Sequence, residues 1–559
     1  MFAKLYQARF VGLLGLLLLV TAVGCASFAE PTTTTDLNQN QVETTRTVTE
    51  TVTEVEPEIN YEEREVGAVA VEEETSATDD GIYATDAAEP APANAGASQA
   101  SESVVAPEEP PIVLPPDPAP PAGLITEGYA TNPFIDTADD ALSTFAIDVD
   151  TGAYTVMRRY VSDRLLPPQD SVRIEEYINY FDQEYAVPET GAFGINLEAA
   201  PAPYGESDRY HLLRVGIQGY DVPEENRPDA MLIFVVDVSG SMDRPERMGL
   251  VKESLLMLLN NLKPTDQVGI VTYGSQAQVL LPPTYVAADR QIRTGIENLY
   301  PGGGTNMEQG LQVAYQLANE YAQPGNINRL ILVSDGVANI GGTTPELILQ
   351  HAAEGIQLSS FGYGMGSYND VNMEQLADQG DGSYAYIDTL DEAERVFADE
   401  LLATILTIAK DAKIQVEFNP AVVERYRLLG YENRDVADED FRNDSVDAGE
   451  IGAGHSVTAL YEVLFTEEAR PAEAALTVRV RYANPETGET EEISQSMARG
   501  DVHAQFTDAS PRFQLSATVA EFAEIMRGSF WAQAGDMAVV ADEARRVAQL
   551  LPNDTAVQE

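Results

Sequence analysis

Asp237, Ser239 and Ser241 alternate in the stretch Asp237-Val238-Ser239-Gly240-Ser241-Met242. One acid and two hydroxyls at this spacing offer only oxygen donors, and oxygen donors suit a hard divalent cation such as Mg²⁺, Mn²⁺ or Ca²⁺. Neutral hydroxyls leave more of the 2+ charge uncompensated than carboxylates would, so an ion held this way stays electrophilic. Two distant residues complete the set. Thr305 follows Gly302-Gly303-Gly304, whose glycines let the backbone turn tightly and place its hydroxyl, and Asp335 follows the apolar run Leu330-Ile331-Leu332-Val333-Ser334.

These five residues need elements that bring them together. Met231 to Val236 is an unalternating run of branched and aromatic residues, the pattern of a strand buried on both faces, and Leu330 to Ser334 is a second. In an open α/β sheet, ligands bind at the carboxyl ends of such strands. Helical patterns are expected over 248–262, 291–299, 306–321, 345–353, 371–379 and 391–409, with further strands over 267–273, 277–281, 356–361 and 384–387. Strands alternating with helices imply a mainly parallel sheet covered on both faces, with 277–281 as an antiparallel edge. From Ala412 the apolar period changes to two, at Ile414-Val416-Phe418, around 459–465 and around 476–482. These read as an antiparallel sheet able to pair with half-buried strands near 195–197 and 211–217, so that the chain enters and leaves the α/β part through one sandwich. Two helices, over 512–527 and 535–550, end the chain.

Asp-x-Ser-x-Ser, a distant Thr and a distant Asp, each on the right kind of element, resemble the von Willebrand factor type A (VWA) domain and its metal-ion-dependent adhesion site. The resemblance implies that Asp237, Ser239, Ser241, Thr305 and Asp335 hold the ion, directly or through water, with one position open to an acidic side chain of a partner protein. The segments Phe145 to Tyr154, Leu166 to Phe181, Leu429 to Arg434 and Asp447 to Glu462 resemble the flanking regions of a bacterial family of lipoproteins that carry this domain. The implied fold is a Rossmann-like VWA domain inserted in an antiparallel β-rich flanking domain.

The chain has 559 residues, enough for two or three domains, and 44% of them are hydrophobic. A net charge of -58 excludes a nucleic-acid backbone as partner. Lysine occurs only at 4, 252, 263, 410 and 413, and so acid-rich and lysine-poor a surface suits a saline medium that screens it. Cys25 is the single cysteine, so no intrachain disulfide forms. Residues 1–25 have a basic start, an apolar stretch over 11–20 too short to span a bilayer comfortably, and Ala22-Val23-Gly24-Cys25, which resembles the bacterial lipobox with Ala22 where Leu is usual. That resemblance implies lipidation of Cys25; Ala26 stands where some Gram-negative bacteria use Asp as an inner-membrane retention signal. Residues 26–122 are Thr-, Glu- and Pro-rich and cannot bury enough apolar surface to offset chain entropy, which predicts a disordered acidic tether.

The expected organisation is a signal peptide over 1–25, the linker over 26–122, an N-terminal flanking region over 128–225, the VWA domain over 229–409, the antiparallel β domain over 412–500 and C-terminal helices over 505–552. The expected function is non-enzymatic: a lipid-anchored protein of the cell envelope, outside the cytoplasm, that grips an acidic side chain through Mg²⁺ or a similar ion. A metal-dependent hydrolase is the alternative, although no histidine is placed beside the site by sequence and no nucleophile elbow appears. A nucleotide-binding domain is disfavoured because Gly302-Gly303-Gly304 is neither Gly-x-Gly-x-x-Gly nor a Lys-containing phosphate loop. Asp148 and Asp150 lack the spacing of a calcium loop and read as capping or loop residues, Thr151 as a helix cap, and the acidic stretch 431–454 as a solvated loop.

Overall fold

The computed structural model describes residues 128–559 apart from 205–208, 337–340, 342–343, 350–351, 353–354, 365–367, 447 and 486. The signal peptide, the tether and Cys25 lie outside the described residues. Among the described residues no helix is long and apolar enough to cross a membrane.

The chain begins with strands β1 (Ile135–Asp136) and β2 (Leu142–Ala146), helices α1 (Gly152–Ser162) and α2 (Ile174–Asn179), then β3 (Phe193–Pro201) and β4 (Tyr210–Gly219). The α/β part follows as β5 (Ala230–Asp237), α3 (Leu250–Asn261), β6 (Gln267–Tyr273), β7 (Ala277–Tyr285), α4 (Asp289–Glu297), α5 (Met307–Tyr321), β8 (Ile327–Ser334), α6 (Pro345–Ile348), β9 (Gln357–Tyr363), α7 (Asp370–Asp378), β10 (Tyr384–Ile387), α8 (Leu390–Glu394) and α9 (Leu401–Ile405). The chain then runs through β11 (Thr407–Phe418), β12 (Val423–Leu429), β13 (Gly449–Gly452), β14 (Ser456–Phe465), β15 (Ala474–Ala483) and β16 (Thr490–Ala498) to α10 (Pro511–Met526) and α11 (Met537–Leu550).

The central sheet has the order β10-β9-β8-β5-β6-β7. All its pairings are parallel except β7, which adds antiparallel to β6 at one edge. Every residue of β5 is buried, and its side chains alternate between two cores. Leu232, Phe234 and Val236 join α3 residues such as Val251 and Leu258, whereas Met231, Ile233 and Val235 join α5 residues such as Leu311 and Ala314. This two-sided burial is why the strand reads as one continuous apolar run.

Two antiparallel sheets form the flanking sandwich. One has the order β1-β12-β14-β4-β3; the other has β13-β11-β15-β16, with β2 added to β11. Strands from before the α/β part, β3 and β4, pair in one sheet with β14 from after it, through a register that sets His211 opposite Val463. Phe145, Ile217, Val416, Val463 and Val478 meet in one core. The α/β unit is therefore an insertion in a sandwich, as the alternation patterns imply, and His211 is a strand residue. Helix α10 packs on α2, and α11 packs on α10, in a core that holds Phe513, Val547, Ile174 and Tyr177.

Several local expectations change. The helix expected over 391–409 is broken: α8 gives way to a wide turn over Arg395–Asp399, α9 ends at Ile405, and the following residues already belong to β11. The helix expected over 345–353 is described only over Pro345–Ile348. Thr151 stands at the N-terminus of α1 without capping it; its hydroxyl accepts from Arg395 Nη2 at 3.0 Å instead. The first part of the acidic stretch 431–454 is not solvated, since Tyr431 is buried and Arg434 pairs with Asp148 and Asp150 at 3.2 and 3.4 Å. Asp148 and Asp150 are thus buried partners of a guanidinium rather than exposed loop acids.

Candidate metal centre

In the strand order, β5 is flanked by β6, the next strand in the chain, and by β8, which comes later. The crevice where connections leave in opposite directions lies at the carboxyl ends of β5 and β8. Asp237 is the last residue of β5, and Asp335 follows the last residue of β8. Both are buried, at 0% and 3% exposure.

Three loops are stitched together here. Gly302 N donates to Val238 O at 2.6 Å, and Gly240 N donates to Gly303 O at 3.1 Å, so the Ser-Gly-Ser turn and the triple-glycine loop interlock. The β6–β7 turn braces the second loop: Asn306 N donates to Gly274 O at 2.8 Å and Gly304 N to Ser275 Oγ at 2.9 Å. Gly303 has φ +92°, and a Cβ there would sit 2.8 Å from Ser275 Oγ, so glycine is needed for both conformation and space. Thr305 lies buried between these braced neighbours, directly before Asn306, whose side chain caps α5 by accepting from Gln309 N.

The donors face one another within the first loop. Asp237 Oδ1 accepts from Ser239 N at 2.7 Å, and Ser239 Oγ lies 2.9 Å from Ser241 Oγ. Neither serine is used to cap a helix: Ser239 precedes the short turn 240–242 without a side-chain capping bond. Asp237 Oδ2 accepts from Ser334 Oγ at 3.0 Å, which ties the end of β5 to the end of β8. The geometry thus brings Asp237, Ser239 and Ser241 into one hydrogen-bonded cluster, links Asp335 to it through Ser334 and Arg247, and brings the Thr305 loop against it through backbone bonds.

The electrostatics favour a cation. Burial, and next the neighbouring Asp335 carboxylate, push the Asp237 carboxyl up to about 7. Asp335 Oδ1 is buried and has no hydrogen-bond partner among the described residues. A buried unsatisfied carboxylate oxygen is costly, and a hard cation taken up beside Asp335, Asp237, Ser239 and Ser241 would remove that cost. The donor set fits such an ion without any group of three or more His, Cys, Asp or Glu residues, and no such group occurs among the described residues.

Sequence reading missed Arg247. Its Nη1 donates to Ser241 O at 2.8 Å and to Asp335 Oδ2 at 2.7 Å, which places a guanidinium inside the cluster. The only signal in the chain is a basic residue six positions after Ser241, which is too common to mark a site.

Among the described histidines, His211 lies in β4 against Phe465, His503 lies by Glu198, and His455 lines a cleft of about 810 Å³ between the sandwich and the α/β unit. None of the five candidate residues lines that cleft.

Comparison with known proteins agrees with this architecture. Residues 232–337 match the model of the von Willebrand factor type A domain, and residues 126–214 match one described as von Willebrand factor. Residues 232–337 thus carry the sequence pattern of a VWA domain, within an α/β unit of VWA-like fold. Residues 403–551 match the C-terminal region of uncharacterized protein YfbK. The Escherichia coli (strain K12) protein of that name is 39% identical over 367 residues, which cover 64% of this chain and 63% of that one. The match therefore spans less than two thirds of that relative's length. Uncharacterized protein sll0103 of Synechocystis is 24% identical over 295 residues, covering 51% of this chain and 69% of its own. Among solved structures, a von Willebrand factor type A protein from Catenulispora acidiphila aligns over 68% of this chain and 90% of its own, with 16% identity and a TM-score of 0.40.

Proposed function

We propose that the protein is a cell-envelope binding module, tethered by a lipid on Cys25, that captures a carboxylate side chain of a partner protein through a divalent ion held by Asp237, Ser239, Ser241, Thr305 and Asp335. Mg²⁺ is the expected ion, with Mn²⁺ or Ca²⁺ as alternatives of the same ligand chemistry. One observation carries the reading. Two buried carboxylates and a pair of hydroxyls 2.9 Å apart meet at the switch point of the sheet, with one oxygen of Asp335 left unpaired among the described residues. A ligand set with only two carboxylates leaves the ion attractive to a further anionic oxygen. In this reading the Thr-, Glu- and Pro-rich residues 26–122 serve as the tether between anchor and site.

The test is a capture experiment with the full chain in Mg²⁺, using solubilised envelope proteins and elution with EDTA. Wild type releases a partner on chelation, and Asp237→Ala captures none. Identical eluates from the two proteins reject the reading. The anchor is tested apart from the site: Cys25→Ser moves the protein from the membrane pellet to the soluble fraction, and unchanged fractionation rejects lipidation.

A further inference from the structure

Arg247 is 6% exposed, and its position is built rather than incidental. It sits in a wide, π-type turn, Pro245–Gly249, that precedes α3. Such turns insert an extra residue into a helical start and recur at functional sites. Gly364, with φ +81°, makes room for the side chain: a Cβ there would lie 2.4 Å from both Arg247 Cγ and Arg247 Nε. The same nitrogen, Nη1, bonds the backbone of the Ser-x-Ser turn and one oxygen of Asp335. Asp335 is thereby divided: Oδ2 faces the guanidinium, while Oδ1 has no partner among the described residues.

We propose that Arg247 is a resident counter-cation of the metal centre, a positioning residue that lowers the site's hold on the ion and raises its hold on a carboxylate ligand. The proposal rests on the cation reading above and specifies the ligand it selects. A guanidinium stays charged at any accessible pH. With two carboxylates, one guanidinium and one divalent ion, the loaded centre carries one net positive charge, where the carboxylates alone would neutralise the ion. In a buried site that surplus is poorly screened, and a single carboxylate from outside satisfies it. The same repulsion acts on the ion itself, so the site holds metal less tightly than its oxygens would allow. Selection for one monoanionic side chain, rather than for a neutral amide or hydroxyl, follows from this charge count.

The experiment is calorimetric titration of the full chain with Mn²⁺, followed by electron paramagnetic resonance of the bound Mn²⁺ during addition of acetate, a monocarboxylate probe. Wild type, Arg247→Met and Arg247→Lys are compared. Arg247→Met is expected to bind Mn²⁺ at least tenfold more tightly and to lose the spectral response to acetate, whereas Arg247→Lys, which keeps the charge, stays near wild type in both. If Arg247→Met does not fold, Arg247→Gln takes its place, since it keeps a donor without the charge. A neutral variant that binds Mn²⁺ no more tightly than wild type overturns the proposal, because an arginine that only braces the loop loses affinity when removed. Wild type that binds no Mn²⁺ while the neutral variant does would reject the metal-dependent function and uphold Arg247 as the occupying cation; no binding by either rejects both.

Discussion

Arg434 Nη1 lies 3.0 Å from Asp378 Oδ2, joining the loop after β12 to the last residue of α7, and so the sandwich to the α/β unit. The same guanidinium reaches Asp148, Asp150 and Glu374. Arg173 beside it pairs with Glu176, with Asp370 at 2.9 Å and with Glu374 at 3.5 Å. Two guanidiniums thus face six carboxylates in a seam where every carboxylate but the half-exposed Asp378 is buried. Charges cannot remain so unbalanced out of water, and protons make up the difference.

That seam, with the buried Glu175 beside Glu176 in α2 accepting from Tyr431 N at 3.1 Å, gives the protein a pH-dependent stability. Burial, followed by the nearby carboxylates of Glu432 and Asp148, raises Glu175 to about 7. Burial raises Glu176 to about 8 against the opposing pull of Arg173, and Glu374 to about 7 against Arg173 and Arg434. Raised folded-state values mean that the folded chain holds protons the unfolded chain releases. The stabilisation is fully present below the ordinary glutamate range and is lost as pH rises through about 7 to 8. The melting temperature should fall from about pH 5 to about pH 8 and level off above that. Glu175→Gln, a permanent mimic of the protonated form that still accepts from Tyr431 N, should flatten the profile. A wild-type profile already flat over that range rejects the account.

Arg434→Met should cost more at high pH than at low. Removing one partner from a buried ion cluster typically costs about 3–5 kcal/mol. At pH 5.5 more of the stranded carboxylates can take up a proton and blunt the loss. Urea unfolding of the variant and wild type at pH 8 and pH 5.5 measures the difference, and an equal loss at both values argues against proton compensation.

Asp237→Asn should separate metal binding from stability. Without metal, the substitution removes a buried charge beside Asp335 while keeping an acceptor for Ser239 N. In EDTA the variant should melt at or above the wild-type temperature. Added Mn²⁺ should raise the wild-type melting temperature and leave the variant unmoved. An equal rise in both means that the ion binds elsewhere.

Gly303→Ala tests the triple-glycine loop. An alanine in the left-handed region costs about 1–2 kcal/mol, and its Cβ would press on Ser275 Oγ at 2.8 Å. The fold should survive with a melting temperature a few degrees lower, and Mn²⁺ affinity should drop because Thr305 shifts with the loop. Unchanged affinity would mean that Thr305 contributes nothing to the ion.

The central sheet was legible because β5 and the Leu330–Val333 part of β8 are buried on both faces and run without polar interruption. The Asp-x-Ser-x-Ser pattern was legible because its residues are neighbours in one turn. Strand β12 was not expected, since it carries Glu424, Arg425 and Arg427 in seven residues. Arg427 is nonetheless buried, paired with Glu462 and Glu524, a compensation that appears only when distant segments meet. Edge strand β16 is polar and largely exposed, so it lacks the apolar alternation that marks a strand. Arg247 escaped for a similar reason: its place depends on a wide turn and on the room left at Gly364, and neither has a local signature.

Strand β2 lies antiparallel along β11 from Leu142–Glu417 to Ala146–Lys413, and β11 is the strand by which the chain leaves the α/β unit. Tension entering from the N-terminal side therefore loads this ladder in shear, with several hydrogen bonds sharing the strain at once. A pull between the N-terminal side and the carboxyl ends of β5 and β8 would draw on the sandwich first, and the central sheet would be spared distortion until that ladder slipped.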